Sequence, residues 1–87
     1  MTKVTIYLTS NCPYCTRAKH FLQNKGIPFD TIDLTHNPTE LSRLKSQTQW
    51  MTVPQIFIGK HFIGGYMDML KLEEEGKLDS LLKDESL

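Results

Sequence analysis

The sequence lacks a long apolar run and an excess of charge of either sign. None of its apolar stretches approaches the roughly 18 residues that a membrane span needs, and its first residues carry no apolar segment of the secretory type. Ten basic residues balance ten acidic residues, so composition gives no reason to expect a nucleic-acid partner. We therefore expect a cytoplasmic protein that has neither a membrane partner nor a nucleic-acid partner.

Cysteine is also scarce, because Cys12 and Cys15 are the only two in 87 residues. This count excludes a small scaffold held together by several disulfides, and the chain is long enough to bury one core without them. A structural zinc site normally takes a full set of Cys and His ligands. The three histidines, His20, His36 and His61, are isolated in the sequence. We therefore predict no metal site and expect a single domain over residues 1–87.

Strand and helix patterns alternate along the chain. The predicted elements are a strand over 3–8, a helix over 13–25, a strand over 29–34, a helix over 38–48, strands over 53–58 and 61–63, and a helix over 66–75. A short final helix or helical turn is expected around Leu78, and residues 84–87 are expected to fray. The order β-α-β-α-β-β-α predicts an α/β fold. Its sheet is mixed, since the first two strands have the spacing of a parallel βαβ unit and the last two form a hairpin.

The two cysteines lie where the first predicted strand gives way to the first helix. Pro13 suits the first helical position, so Cys12 becomes the N-cap and Cys15 falls in the first turn on an apolar stripe. The amides of Tyr14 and Cys15 and the positive end of the helix favour a thiolate at Cys12. We expect Cys12 to attack disulfides and the more buried Cys15 to resolve the product. A buried pair that only packs is the alternative, and the intervening Pro-Tyr argues against it.

Three blocks of the sequence together resemble a known family. The blocks are Cys12-Pro13-Tyr14-Cys15, Thr52-Val53-Pro54, and Gly64-Gly65 with Asp68. In order and spacing they resemble the dithiol glutaredoxins, and the likeness extends from Val4 to about Leu82. The resemblance implies a thioredoxin-like fold with a four-stranded mixed sheet flanked by helices. It also implies a glutathione-dependent thiol–disulfide oxidoreductase with glutathione as co-substrate and no tightly bound cofactor.

The same resemblance implies a groove for glutathione. Pro54 would follow a cis bond and lie against the sulfurs, and the Val53 backbone would pair with the cysteinyl unit of the tripeptide. The amides of Tyr66 and Met67, with the Asp68 side chain, would hold the γ-glutamyl group at a helix start. The full set of expected glutathione-binding residues is Tyr14, Thr52, Val53, Pro54, Gly65, Tyr66, Met67 and Asp68.

Two positions depart from the family pattern. Many members carry a lysine where this chain has Thr9, so the usual cation for the glycine carboxylate of glutathione is missing. Arg17 and Lys45 are the replacements that we consider. Tyr66-Met67 stands where a cysteine and a small or acidic residue are more usual, which is tolerable if the contacts are made by backbone.

The resemblance also defines the expected partners and the rival functions. Expected substrates are glutathionylated or disulfide-bearing proteins, with ribonucleotide reductase as one candidate, and the chain is expected to act as a monomer. One rival is a redoxin that thioredoxin reductase reduces. Another is an iron–sulfur carrier in which Cys12 and glutathione hold a cluster between two protomers, which the proline after Cys12 disfavours.

Two further features concern packing. Trp50, the only tryptophan, is expected to cover the edge of the sheet. Met67 and Met69 either form an adaptable surface beside the site or fill the core.

Overall fold

The four strands form one mixed sheet in the order β2-β1-β3-β4. The computed structural model describes residues 3–83. Its elements are β1 (Val4–Leu8), α1 (Pro13–Asn24), β2 (Phe29–Asp33), α2 (Pro38–Thr48), β3 (Gln55–Ile58), β4 (His61–Gly64), α3 (Tyr66–Glu74) and α4 (Leu78–Lys83). β1 is parallel to β2 and antiparallel to β3, and β3 is antiparallel to β4. The predicted α/β class and mixed sheet are therefore confirmed.

The central position of β1 follows from its side chains. Val4, Ile6 and Leu8 alternate along the strand and are all buried, which is the pattern of a strand with one face on the core. Tyr7 points to the other face, where its ring meets that of Phe57 edge-on with centroids 5.5 Å apart. The strand is thus held by the core on one face and by aromatic packing on the other.

The helices bury one face each against this core. Cys15, Ala18 and Leu22 are the buried residues of α1, and Met69 is the buried residue of α3. An ion pair between Lys25 and Glu73 joins the end of α1 to α3. The two helices that flank the predicted site are therefore fixed to the same core.

Several element boundaries differ from the sequence expectation. β3 begins at Gln55 and not at residue 53, because Pro54 has no N–H to donate to the ladder. α1 ends at Asn24 and Gly26 follows in a left-handed conformation with φ of 69°. The short helix at Leu78 is confirmed as α4. The expected fraying of residues 84–87 lies outside the described residues. Within residues 3–83, no helix is both long enough and apolar enough to cross a membrane.

Candidate active site

The strand registers bring three separate loops to one edge of the sheet. Tyr7, near the end of β1, pairs with Gln55 at the start of β3. Ile56 of β3 pairs in turn with Gly64 at the end of β4. The loop that precedes α1, the loop that precedes β3 and the start of α3 consequently meet, although they are far apart in the sequence.

Cys12 is the N-cap of α1 and has extended backbone angles, with φ of −118° and ψ of 99°. The Cys15 amide donates to the Cys12 sulfur at 3.1 Å. The two sulfur atoms lie at disulfide distance, and the Cα atoms are 5.2 Å apart. Cys15 is only 2% exposed, whereas Cys12 is half-buried. The prediction that a helix amide reaches Cys12 and that Cys15 is the more buried thiol is confirmed.

The loop before Cys12 is tied to the end of β2. The Ser10 amide donates to the Thr35 hydroxyl at 2.7 Å, and the Thr35 amide donates to Asp33 Oδ1 at 2.9 Å. The hydroxyl and amide of Thr35 both bond to Asp33, and these bonds hold the pKa of that carboxyl below its usual value. Asn11 completes the turn with φ of 58°, a conformation that asparagine tolerates better than most residues. This chain of contacts fixes where α1 begins.

The Val53-Pro54 bond is cis, as the family resemblance implied. The Val53 carbonyl oxygen is 3.7 Å from the Cys12 sulfur. Pro54 itself is buried. The loop before β3 therefore forms the wall of the site that faces Cys12.

A groove of about 360 Å³ runs from Tyr14 to the start of α3. Its lining residues are Tyr14, Trp50, Thr52, Val53, Pro54, Gly65, Tyr66, Met67 and Asp68. The lining includes all eight residues that we expected at a glutathione site. Trp50 was not in that expectation.

The start of α3 closes one end of the groove. Asp68 Oδ2 accepts a hydrogen bond from the Gly65 amide at 2.9 Å, which caps the helix. Gly64 lies just before with φ of 106°. A Cβ at Gly64 would come within 2.7 Å of the Asp68 carboxyl. The turn at the groove therefore needs a glycine at this position for two separate reasons.

Aromatic rings form another wall. The rings of Tyr14 and Tyr66 stack with centroids 6.1 Å apart, and the Arg17 guanidinium lies 5.2 Å from the Tyr14 ring centroid. Trp50 packs edge-on against Phe62 of the edge strand β4, with centroids 5.8 Å apart. The expectation that Trp50 covers the sheet edge is confirmed, and the same side chain also lines the groove.

The structure also places the two methionines and the two candidate cations for glutathione. Of the two methionines, Met69 is 0% exposed and belongs to the core, whereas Met67 is 64% exposed at the groove. The Arg17 guanidinium lies against the ring of Tyr14, which lines the groove. Lys45 is in the last turn of α2 and is not a groove-lining residue. Among residues 3–83, no group of three or more His, Cys, Asp or Glu side chains is placed to hold a metal ion.

Sequence reasoning missed Gln55, the first residue of β3. Its side chain is 0% exposed and bonds to the loop that carries Thr52 and Val53. The available signal was one polar residue at the head of the apolar run Ile56-Phe57-Ile58. A polar residue at a strand end usually faces solvent, so this signal alone did not predict burial.

Comparison with known proteins places this geometry in a family. A family model described as Glutaredoxin matches residues 4–63. The chain is 46% identical over 82 residues to a glutaredoxin of Pseudomonas aeruginosa, covering 94% of this chain and 98% of that protein. It is 41% identical over 83 residues to glutaredoxin 3 of Escherichia coli K12, and the match covers 95% of this chain and 100% of that protein.

Solved structures agree with the sequence matches. A buckwheat glutaredoxin–glutathione complex superimposes with a TM-score of 0.89 at 28% identity, covering 95% of this chain and 78% of that chain. The solution structure of a glutaredoxin from Brucella melitensis superimposes with a TM-score of 0.84 at 47% identity, covering 95% of this chain and 90% of that chain. The family match and these relatives show a glutathione-dependent thiol–disulfide oxidoreductase, and Cys12 and Cys15 lie at disulfide distance at the head of α1. The chain therefore belongs to the glutaredoxin family.

Proposed function

We propose that Cys12 is the nucleophile and Cys15 the resolving thiol of this oxidoreductase. The observation that carries the assignment is the Cys15 amide, which donates to the Cys12 sulfur at 3.1 Å from the first turn of α1. A thiolate at Cys12 gains that hydrogen bond and the positive end of the helix, whereas Cys15 is buried and gains neither. Exposure supports the same order, because an incoming disulfide meets Cys12 first.

The proposed reaction with a glutathionylated protein runs in two exchanges. The Cys12 thiolate attacks the glutathione sulfur of the mixed disulfide, a Cys12–glutathione disulfide forms, and the protein leaves as a thiolate that takes up a proton. A second glutathione thiolate then attacks the glutathione sulfur on Cys12, which releases glutathione disulfide and restores the Cys12 thiolate. With a protein disulfide, the Cys12 thiolate attacks one sulfur, a Cys12–protein disulfide forms, and the other protein sulfur leaves as a thiolate. Cys15 then attacks the Cys12 sulfur, which closes the Cys12–Cys15 disulfide and releases the second protein thiolate. Two glutathione molecules reduce the Cys12–Cys15 disulfide and leave as glutathione disulfide.

Glutathione is proposed to lie in the groove with its sulfur toward Cys12. The Val53 backbone would pair with the cysteinyl unit in the manner of an added strand. The amides of Tyr66 and Met67 at the start of α3 suit the γ-glutamyl carboxylate, and Asp68 suits its ammonium group. The buckwheat neighbour, described as a glutaredoxin–glutathione complex, supports glutathione as the ligand. Arg17, beside Tyr14, is the proposed cation for the glycine carboxylate.

The compartment, oligomeric state and protein substrates are proposed from membership of the glutaredoxin family. The chain would act in the cytoplasm as one domain and as a monomer, without a tightly bound cofactor. Its protein substrates would carry a disulfide or a glutathione mixed disulfide, with ribonucleotide reductase as one candidate.

Serine substitution at each cysteine tests the roles. Cys12→Ser should abolish turnover of a glutathionylated peptide in an assay coupled through glutathione reductase, because no nucleophile remains. Cys15→Ser should retain much of that turnover, since the second glutathione and not Cys15 completes the cycle. Equal loss in both variants would reject the assigned roles.

The same preparations separate the rival functions. Activity that depends on thioredoxin reductase, with none supported by glutathione, would favour a thioredoxin-reductase-dependent redoxin. A brown dimer after anaerobic reconstitution with iron and sulfide would favour the cluster carrier. A colourless monomer that turns over with glutathione is the expected result.

A further inference from the structure

Gln55 is the one fully buried polar side chain among residues 3–83, and the proposed chemistry does not use it. It is the first residue of β3 and follows Pro54 directly. Taking an amide out of water costs free energy unless its donors and acceptors are paired. Ile56 and Ile58 of the same strand fill the core with apolar side chains. The amide at position 55 therefore needs an explanation other than packing.

The Gln55 side chain connects the end of α2 to the loop before β3. Its Nε2 donates to the Trp50 carbonyl oxygen at 2.7 Å and to the Thr52 carbonyl oxygen at 3.2 Å. Its Oε1 faces the Thr48 hydroxyl at 2.8 Å. The two carbonyls can only accept, so the nitrogen must face them and the orientation of the amide is determined. Both amide protons are therefore used by the loop.

The backbone of this loop makes few other hydrogen bonds. Outside the helices and strands of residues 3–83, no backbone–backbone hydrogen bond involves residues 50–54. The Trp50 amide uses a side chain instead and donates to the Thr48 hydroxyl at 3.3 Å. The carbonyls of Trp50 and Thr52, which Gln55 binds, flank the exposed Met51. The Gln55 amide thus supplies to this segment the hydrogen bonds that a neighbouring strand would supply elsewhere.

The same segment carries the wall that faces Cys12. Val53 directly follows Thr52, and its carbonyl oxygen lies 3.7 Å from the Cys12 sulfur. Thr52 and Val53 both line the groove, whereas Gln55 does not. A shift of the Thr52 carbonyl is transmitted to Val53 because the peptide unit between them is planar. Gln55 is therefore placed to set the position of the Val53 backbone from behind the groove wall, without lining the groove itself.

We propose that Gln55 is a positioning residue that fixes the Thr52–Val53 backbone for glutathione and so sets how tightly the tripeptide binds. The inference rests on the proposed pairing of glutathione with Val53. Without the amide, the Trp50 and Thr52 carbonyls lose the donor that Gln55 supplies, and the loop gains freedom. Ordering that loop then opposes binding of the tripeptide. Cys12 stays at the head of α1, so its own reactivity is retained.

The test compares Gln55→Met with Ile56→Val, a matched change at the adjacent buried position of β3. Methionine keeps the length of the side chain and removes both donors. For Gln55→Met we expect KM for a glutathionylated peptide to rise about five- to tenfold, the factor that corresponds to about 1–1.4 kcal/mol, with little change in kcat. The rate of Cys12 alkylation by iodoacetamide should stay at the wild-type value. Ile56→Val should lower stability and leave KM unchanged.

Amide hydrogen exchange provides a measurement that does not depend on activity. Exchange at the Met51, Thr52 and Val53 amides should be faster in Gln55→Met than in Ile56→Val. If Gln55→Met does not fold, Thr48→Val replaces it, because that change removes the hydroxyl that meets Gln55 Oε1. It should raise KM by a smaller factor with the same unchanged alkylation rate.

Each outcome decides the proposal. A wild-type KM in a folded Gln55→Met overturns it, and so does a joint fall in kcat, alkylation rate and stability that Ile56→Val reproduces. If the wild-type protein turns over no glutathionylated peptide, the proposed function fails instead. In that case, amide exchange at Met51, Thr52 and Val53 that is unchanged in Gln55→Met would overturn the positioning role of Gln55, whatever the activity of the protein.

Discussion

Gly64 joins β4 to α3 in a backbone conformation that residues with a side chain rarely adopt. Its φ is 106°, and a Cβ there would meet the Asp68 carboxyl at 2.7 Å. Asp68 cannot move away freely, because its Oδ2 accepts from the Gly65 amide and caps α3. Gly64→Ala should therefore destabilise the fold by about 2–4 kcal/mol and disturb the groove end of α3.

Gly26 is a suitable control for this prediction. Its φ is 69°, but a Cβ there would meet nothing within 4 Å. Gly26→Ala should therefore cost only the backbone strain, about 1 kcal/mol. Chemical denaturation of both variants measures the difference. Equal losses would show that the approach to Asp68 contributes nothing beyond the conformation of the backbone.

Single residues also show where sequence reasoning succeeds and where it stops. The unequal burial of Cys12 and Cys15 could be predicted, because an N-cap, a proline and an apolar stripe are local features. The burial of Gln55 could not, since its partners at Thr48, Trp50 and Thr52 meet it only after α2 and β3 have packed. The same holds for Trp50. Its packing against the edge strand was predicted, but its place in the groove lining was not.

At the scale of elements, the end of β2 holds the loop that leads into α1. Asp33 accepts from Thr35, and the Thr35 hydroxyl accepts from the Ser10 amide two residues before Cys12. The lowered pKa of Asp33 is caused first by the Thr35 side chain and then by the Thr35 amide, with smaller contributions from His36 and Lys19. The ionised carboxylate thus stabilises the native loop.

This arrangement predicts a pH dependence of known sign. Because the pKa of Asp33 is lower in the folded chain, its stabilisation is present above the unfolded pKa of about 3.9 and is lost as pH falls through the folded pKa. Asp33→Asn keeps an oxygen acceptor and does not titrate. The free energy of unfolding in urea should therefore favour the wild type over Asp33→Asn at neutral pH, and the difference should shrink in acid. A difference that is constant with pH would contradict the role of the charge.

Element boundaries were predictable where the signal is local. Asn37 and Pro38 predicted the start of α2, and the Asn37 side chain does accept from the Glu40 amide at 3.3 Å. The start of β3 was placed two residues early, because Val53 reads as a strand residue in the sequence. The chain bends at Thr52 and Val53, and the ladder of β1 with β3 begins only at Tyr7 and Gln55. Pairing of this kind is a tertiary property that composition does not encode.

At the scale of the whole molecule, one core supports every part of the site. Cys15, Ile56 and Met69 belong to the same buried cluster, and Cys12, Val53 and Tyr66 pack against it. The thiol pair, the loop before β3 and the start of α3 therefore share their support. Loss of this core should release all three walls of the groove together and not one at a time.

The two methionines of α3 test this prediction as a matched pair. Met69 is 0% exposed and Met67 is 64% exposed, although they are only two residues apart on the same helix. Met69→Ala should cost about 2–4 kcal/mol in the free energy of unfolding, because it leaves a cavity in the shared core. Met67→Ala should change it by less than about 0.5 kcal/mol.

Guanidinium unfolding followed by two probes measures both the loss and its cooperativity. Far-ultraviolet circular dichroism reports the helices, and fluorescence of Trp50, the only tryptophan, reports the groove. In Met69→Ala both transitions should move to lower denaturant by the same amount, because Cys12, Val53 and Tyr66 of the site all pack against the core that Met69 fills. A Trp50 transition at lower denaturant than the loss of helix would instead mean that the groove loop unfolds separately from the core. The Gln55 hydrogen bonds, more than core packing, would then determine the stability of that loop.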